Sequence, residues 1–217
     1  MANQANVVLD IETVIHPITQ ADIDEFMLTY KPPANHKRPE AILSAMERAS
    51  SSALQTLEQE RKFSLGGKRM ISVALGVADK RSRQVENISS AQGDDAGELC
   101  RFIAEYLNEF ESYRIVGWNV EAFDLLEIMK QFALTQTPPP RYAPGKWDIV
   151  DLCNRPFKKL KMKEAAKAFG LEVLPHNGAD VAEFYAQQDW ATIKSYNEHD
   201  VFLCGRLFLY ASNFLSF

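Results

Sequence analysis

The sequence is poor in the features that mark several common protein classes. Its three cysteines, Cys100, Cys153 and Cys204, are scattered, odd in number and without a Cys-x-x-Cys pair. That spacing argues against a disulfide framework and a structural zinc site, and suits a reducing cytoplasm, the expected location. No apolar run approaches the ~18 residues of a membrane span, so no membrane partner is expected. The opening residues, MANQANVVLD, lack the basic stretch and long apolar run of a secretory signal. Basic excess is missing too, since the net charge is −5. Domains that bind nucleic acid through charge alone are usually basic. The exclusion is weak, because a site built from carboxylates lowers net charge by itself and bound cations would reverse the local field.

The apolar fraction of 46% and charged fraction of 24% are ordinary for a soluble globular protein. At 217 residues the chain can bury a core without staples, and no composition break forces a domain boundary. Residues 1–217 are therefore read as one domain. The only candidate insertion is 31–68.

Hydrophobic periodicity predicts the elements. Asn6 to Ile11 reads as a short apolar strand. Pro17, Pro32, Pro33 and Pro39 punctuate an irregular stretch, and a helix follows from Glu40 to about Lys62. Arg69 to Val77 and Arg83 to Ile88 read as a hairpin of strands. Asp94 to Phe110 is an amphipathic helix. Arg114 to Gly117 is a strand, and Glu121 to Leu134 a helix. Trp147 to Leu152 is a fifth strand. Met162 to Phe169, Val181 to Gln187 and Asp189 to about Phe214 are helices. Three leading strands and helix-linked later ones predict an α/β fold, a mixed five-stranded sheet flanked by helices.

Several carboxylates sit where apolar residues belong. Asp10 closes an otherwise apolar strand, and Glu12 lies two residues on. If the strand persists, both project from one face, roughly 7 Å apart, and repel unless a cation lies between them. The ordinary alternative is that Asp10 ends the strand and Glu12 lies in a turn. In the last helix, Tyr196, Asp200, Leu203, Leu207, Tyr210 and Phe214 step by four and three along one mostly apolar stripe. Asp200 thus belongs to the core-facing side, where an unpaired carboxylate costs several kcal/mol. Lys194 or Arg206 could pair with it, but neither lies on the stripe. A third group, Asn119, Glu121 and Asp124, falls where a strand runs into a helix. Asn119 would make a good N-cap and the acids would suit the helix dipole. Such junctions are also where open α/β sheets place their sites.

Taken in order, Asp10-Ile-Glu12, Asn119-Val-Glu-Ala-Phe123-Asp124 and Tyr196-Asn-Glu-His-Asp200 resemble the three motifs of the DEDD superfamily of 3′–5′ exonucleases. Tyr196, four residues before the last acid, places the resemblance in the tyrosine (DEDDy) branch. The histidine branch would carry His at position 195, which is Ser195, and His199 is a decoy. Further stretches extend the likeness: Trp147-Asp-Ile-Val-Asp-Leu, Leu160-Lys-Met-Lys-Glu-Ala-Ala-Lys-Ala-Phe-Gly-Leu and Gly178-Ala-Asp-Val-Ala-Glu-Phe-Tyr. They look like those of stand-alone exonucleases similar to the proofreading domain of B-family DNA polymerases. No polymerase module fits in 217 residues, so proofreading would be in trans.

The resemblance implies an RNase H-like (DnaQ-like exonuclease) fold and hydrolysis of single-stranded nucleic acid from the 3′ end to nucleoside 5′-monophosphates, DNA more than RNA. It implies two divalent cations, Mg²⁺ or Mn²⁺, held by Asp10, Glu12, Asp124 and Asp200; hard cations suit carboxylate ligands. Asp10, Glu12 and Asp200 would hold one, and Asp10 would bridge to a second beside Asp124. Tyr196 would orient the attacking water. Asn119 and Phe123 would meet the terminal nucleotide, the latter by stacking. Among Lys158, Lys159, Lys161, Lys163 and Lys167, the one basic cluster, Lys161 and Lys163 are the candidates for phosphate contact. A solvated helix face is the ordinary explanation of that cluster. Lys37-Arg38 and Lys68-Arg69 flank the 40–62 helix, which could be a lid. Asp148, Asp151 and Asp180 are spare acids, expected to tolerate Asn. The competing functions are a non-catalytic nucleic-acid-binding module of the same fold and a phosphodiesterase confined to short oligonucleotides.

Overall fold

A computed structural model describes residues 4–64, 67–141, 149–153, 157 and 160–213, the Phe63 side chain excepted. Its contacts divide the chain into two units, Met1–Val14 with Met70–Phe217, and Ile15–Arg69.

The larger unit is built on a five-stranded sheet of order β3-β2-β1-β4-β5. β1 (Ala5–Ile15) is its middle strand. β2 (Lys68–Asp79) pairs antiparallel with β3 (Gln84–Gln92), from Ser72 against Gln92 to Asp79 against Gln84. The register slips between Leu75 and Val77, close to Asn87, which takes a left-handed φ of 53°. β4 (Tyr113–Gly117) runs parallel to β1, Val8 beside Val116, and β5 (Ile149–Asp151) parallel to β4. The sheet is therefore mixed, as the element order predicts.

Period-two alternation sorts β1 into two layers. Val7, Leu9 and Ile11 enter a core cluster with Leu99, Ile103 and Leu107 of α3 (Ala96–Asn108) and with Leu125 and Ile128 of α4 (Asp124–Thr135). Val8 enters the opposite cluster, with Ala165 and Ala166 of α5 (Met162–Ala168) and Val201, Leu203 and Cys204 of α7 (Trp190–Ser212). α6 (Val181–Ala186) packs beside α7, with Val181, Ile193 and Tyr196 in a third cluster. Gly205 lets α7 approach the sheet closely, since a Cβ there would sit 2.7 Å from the Val85 side chain and 3.2 Å from that of Val8. The helix starts where Asp189 accepts the Thr192 N–H at 3.0 Å, an N-cap that fixes its entry.

The smaller unit holds two helices, α1 (Gln20–Thr29) and α2 (Pro39–Phe63). α1 is missing from the sequence expectation, which has only an irregular stretch there. Its start is a reciprocal capping box: Thr19 Oγ1 accepts the Asp22 N–H, and Asp22 accepts the Thr19 N–H at 2.6 Å. With no fully buried residue, α1 shows no strong apolar stripe, which is why periodicity misses it. α2 begins with Pro39 at its first turn and buries Ala45, Ala49 and Ala53, spaced by four. Arg61 ties the helices together by pairing with Asp22 and donating to the His16 carbonyl at 2.9 Å.

The other predicted elements appear within a few residues of their expected ends. Trp147, Asp148, Lys158, Lys159 and Phe214 lie outside the described residues. Among those described, no helix is long and apolar enough to cross a membrane.

Candidate metal centre

β1 does not stop at Asp10. It runs on to Ile15, so Asp10 and Glu12 extend the row of Val8 on the α7 side of the sheet, rather than ending the strand or entering a turn. From α7 Asp200 comes to meet them. One carboxylate oxygen each from Asp10, Glu12 and Asp200 lie within 4.8 Å of one another. Asp10 and Glu12 are half-buried and Asp200 is buried. Asp200 Oδ1 is wholly buried with no hydrogen-bond partner among the described residues. The cations weighed as its partners are engaged elsewhere: Lys194 lies 3.8 Å from Glu198, and Arg206 donates to the Tyr210 hydroxyl at 3.2 Å.

Asp124, the first residue of α4 and itself buried, reaches the same place from the other layer. Its Oδ1 accepts the main-chain N–H of Ile11, the residue between Asp10 and Glu12, at 3.2 Å. The structure thus brings all four sequence-predicted acids together, three in mutual reach and the fourth bonded to the strand between two of them.

The electrostatics follow. Burial, then the charges of Asp124, Glu12 and Asp200, push the Asp10 carboxyl well above its usual range, while the Asn197 amide pulls it down. Burial, then Asp200 and Asp124, raise Glu12 likewise, opposed by Lys163. Burial lifts Asp124 to about 7 despite the Ile11 N–H. Burial also raises Asp200, opposed by Lys163, the Tyr196 hydroxyl and His199. Like charges this close are unfavourable without a counter-ion. The donors are all carboxylates, and among the described residues a buried oxygen is left unpartnered. This set fits hard divalent cations such as Mg²⁺ or Mn²⁺.

Tyr196 lies one turn before Asp200, 4% exposed, its hydroxyl interacting with the Asp200 carboxylate. Burial, with Asp200 and Glu12, drives the phenol far above its usual pKa, so it stays protonated and donates. Lys163 of α5 sets its Nζ 4.8 Å from the Tyr196 ring centre and donates to the Leu174 carbonyl at 3.5 Å and to that of His176. Its charge also reaches Glu12 and Asp200. Lys161, the N-cap of the same short helix, and Lys167 within it are both exposed. His199 meets the Glu172 carbonyl at 3.2 Å.

The second motif takes a different shape from the expected N-cap. α4 begins only at Asp124, and Asn119 sits five residues earlier in a left-handed turn, φ 59°, with its side chain exposed. Its carbonyl accepts the N–H groups of Ala122 and Phe123. Phe123 is half-buried against the α3–α4 core. The turn is held from below by Asp151, at the end of β5. Its carboxylate accepts the N–H groups of Asn119 at 2.9 Å, Glu121 at 3.4 Å and Cys153 at 3.0 Å. Gly117, just before, has no room for a side chain: a Cβ would lie 2.4 Å from that of Val120.

Two contributors escape the sequence pattern. Asn197 and Ser72 are fully buried, and Asn197 donates to Asp10 at 2.6 Å. Ser72 is the lone polar residue inside an apolar strand, the one signal available for either. Asp151 is legible only as a strand-end acid.

The structure is similar to a solved family B DNA polymerase from the hyperthermophilic archaeon Pyrobaculum calidifontis. The TM-score is 0.57 at 15% identity, covering 94% of this chain and 24% of the polymerase. The likeness is one of fold, and the chain spans about a quarter of that protein's length. No curated protein matches the sequence. A family model, RNase_H_2, described as the RNase H superfamily, matches residues 62–211, more than half of the chain. With that match, the mixed sheet and the acids gathered on its middle strand, the chain belongs to the RNase H superfamily.

Proposed function

We propose that this protein is a 3′–5′ exonuclease of the DEDDy type, acting on single-stranded nucleic acid, DNA in preference to RNA. The observation that carries the reading is the convergence of Asp10, Glu12 and Asp200 within 4.8 Å, with Asp124 anchored to the strand between the first two. Membership of the RNase H superfamily supports nuclease chemistry.

In this reading Asp10, Glu12 and Asp200 hold one divalent cation, and Asp10 with Asp124 a second. Bound cations lower the pKa of a water and stabilise charge on the scissile phosphate and the leaving oxygen. The chain's own groups supply the rest. The protonated Tyr196 hydroxyl, beside Asp200, orients the attacking water by donating or accepting a hydrogen bond; it is too weak an acid to serve as a base. Lys163, near Glu12 and Asp200, offers its ammonium to the phosphate. Lys161, exposed two residues earlier at the start of α5, tracks the next phosphate along the strand. Asn119 and Phe123 contact the terminal nucleotide. The terminal base must leave its stack to reach the carboxylates, which favours single-stranded ends. The chain is read as one catalytic domain in which the helical unit of residues 15–69 interrupts the nuclease fold between β1 and β2, and as a cytoplasmic protein.

The test is a degradation panel. Single- and double-stranded DNA and RNA, labelled at the 5′ end, are incubated with Mn²⁺ or with EDTA. The expected result is a ladder shortening from the 3′ end of single-stranded DNA, with mononucleotide products, abolished by EDTA and in Asp10→Asn. Binding without cleavage would replace the reading with a non-catalytic module. Cleavage confined to the shortest oligonucleotides would replace it with an oligonucleotide phosphodiesterase.

A further inference from the structure

Asp10 has one neutral partner among its acidic neighbours. The Asn197 amide donates from Nδ2 to Asp10 Oδ2 at 2.6 Å, and Asn197 Oδ1 accepts the Ser72 hydroxyl at 2.7 Å. Both Asn197 and Ser72 have no exposed surface. The line therefore runs from the centre of β2, through α7, to the middle of β1, entirely inside the larger unit.

The chemistry fixes its direction. A primary amide has one end that donates and one that accepts, and an ionised carboxylate can only accept. Ser72 donates to the carbonyl end, so the NH₂ end must face Asp10. Turning the amide over would set a carbonyl oxygen 2.6 Å from a carboxylate oxygen, a repulsive contact. Helix geometry explains why α7 can do this and carry its acid too. Residues advance by about 100° each, so Tyr196, Asn197 and Asp200 lie within an arc of roughly 100°. Packing alone does not call for such residues. An apolar pair of the same shape in place of a buried, mutually bonded amide and hydroxyl can be neutral or stabilising, so stability alone does not require them.

We propose that Asn197 is a positioning residue for Asp10. Its amide, locked by Ser72, holds Oδ2 and the side-chain rotamer, so that Oδ1 is presented in a fixed direction to a divalent cation. The proposal rests on the metal-dependent reading above and deepens it: the first ligand of the centre is oriented by a neutral relay rather than by another charge. Partners that orient ligating groups are typically worth 10- to 100-fold in metal affinity.

The experiment measures Mn²⁺ binding to the metal-free full chain by calorimetry and by the electron paramagnetic resonance of free Mn²⁺. The variants are Asn197→Leu, Ser72→Ala and Ser72→Thr. Melting temperature in EDTA is followed in parallel. Asn197→Leu is expected to weaken Mn²⁺ binding roughly 10- to 100-fold. Ser72→Ala should weaken it by less, and Ser72→Thr, which keeps the hydroxyl, should restore it. With nucleic-acid substrate at saturation, kcat should fall while KM holds, and excess Mn²⁺ should recover part of the loss. A lower melting temperature in EDTA with unchanged Mn²⁺ affinity would overturn the proposal and leave Asn197 a packing residue. Ser72→Ala, one step removed from the carboxylate, carries the test should Asn197→Leu not fold. If Mn²⁺ binds the parent chain but equally well to all three variants, the relay is wrong and the nuclease reading stands. If the parent chain binds no Mn²⁺, the metal-centre reading fails and the relay falls with it.

Discussion

The main-chain N–H of Ile11 donates to Asp124 Oδ1 at 3.2 Å. This one bond joins the middle strand to the first turn of α4, across 113 residues of sequence. Ile11 points its side chain into the α3–α4 core, while Asp10 and Glu12 on either side face α7. Asp124 therefore reaches the strand at the one position where it can touch the backbone between two acids. The four acids come from both layers of the fold, and the backbone of β1 is where they meet.

Neutralising any one acid should trade activity for stability. On the proposed metal-dependent reading, Asp10→Asn, Glu12→Gln and Asp200→Asn each remove a ligand, and the expected loss of roughly 10³-fold in turnover corresponds to about 4 kcal/mol of transition-state stabilisation. Each also removes one of several crowded negative charges. In EDTA at alkaline pH, where the acids ionise, these variants should melt above the parent, by roughly 2–4 °C for each kcal/mol of repulsion relieved. Differential scanning calorimetry beside a nuclease assay checks both halves. Variants that melt lower in EDTA would show that the acids already have counter-charges and need no cation.

The raised carboxyl pKa values give the metal-free protein a defined pH dependence. In the folded state Asp124 is pushed up to about 7, against the ordinary 3.8 that the unfolded chain would show. The folded protein therefore holds this proton more tightly. Stability from that preference is fully present below about pH 4 and is lost as pH rises through about 7. Asp10 and Glu12 shift in the same direction and add to the loss. Other acids, such as Asp22 and Asp189, are lowered and act in the opposite sense. The clean readout is the difference in melting temperature between the parent and Asp124→Asn in EDTA. It should move against the parent as pH climbs from 4 to 8, and Mn²⁺, which needs the ionised carboxylates, should cancel the trend. A difference independent of pH would mean that Asp124 is ionised throughout.

The acids were legible in the sequence because each breaks a pattern that its element otherwise keeps. Asp10 interrupts an apolar strand, and Asp200 stands in an apolar helical stripe. Asp124 sits at the junction of a strand and a helix. The mixed sheet was legible because its strands and helices alternate with clear periods. What stayed hidden has a physical reason in each case. α1 buries no residue fully and is held by its capping box and by Arg61, so no stripe marks it. Asn119 leaves the helical register for a left-handed turn because Asp151 takes its N–H from β5, a contact between residues 32 apart. Asn197 looks like a helix-surface residue beside the Tyr196–Asp200 stripe, until Ser72 on another strand gives its amide a partner.

Tyr196→Phe separates water orientation from metal holding. The ring survives, so the contact with Lys163 at 4.8 Å and the packing against Ile193 and Val181 should persist. Only the hydroxyl that faces Asp200 is lost. A fall in kcat of roughly 10²-fold is expected, at the low end of what positioned proton-handling groups contribute. Mn²⁺ affinity should hold near neutral pH. Because the phenol lowers the Asp200 pKa, its removal should shift the acid limb of the pH–rate profile upward. An unchanged kcat would assign Tyr196 to the core.

Asp151 holds the turn that carries Asn119 and Phe123, so on the proposed reading it bears on substrate rather than on metal. As a spare strand-end acid it would tolerate Asn, but its carboxylate gathers the N–H groups of Asn119, Glu121 and Cys153. An amide of the same shape offers one accepting oxygen and turns a donor toward the others. Asp151→Asn should therefore leave at least one N–H unpaired, at a cost of about 1–3 kcal/mol if it remains buried. The turn carrying Asn119 and Phe123 should loosen, while Asp124 stays anchored to Ile11. The expected result is a higher KM for single-stranded DNA, a lower melting temperature, and Mn²⁺ affinity within a factor of about three, because the bond between Asp124 and the Ile11 N–H still orients that acid beside the cation site. Titration calorimetry and steady-state kinetics on the same preparation distinguish this from a ligand's behaviour. A loss of Mn²⁺ binding equal to that of Asp10→Asn would make Asp151 a member of the metal centre itself.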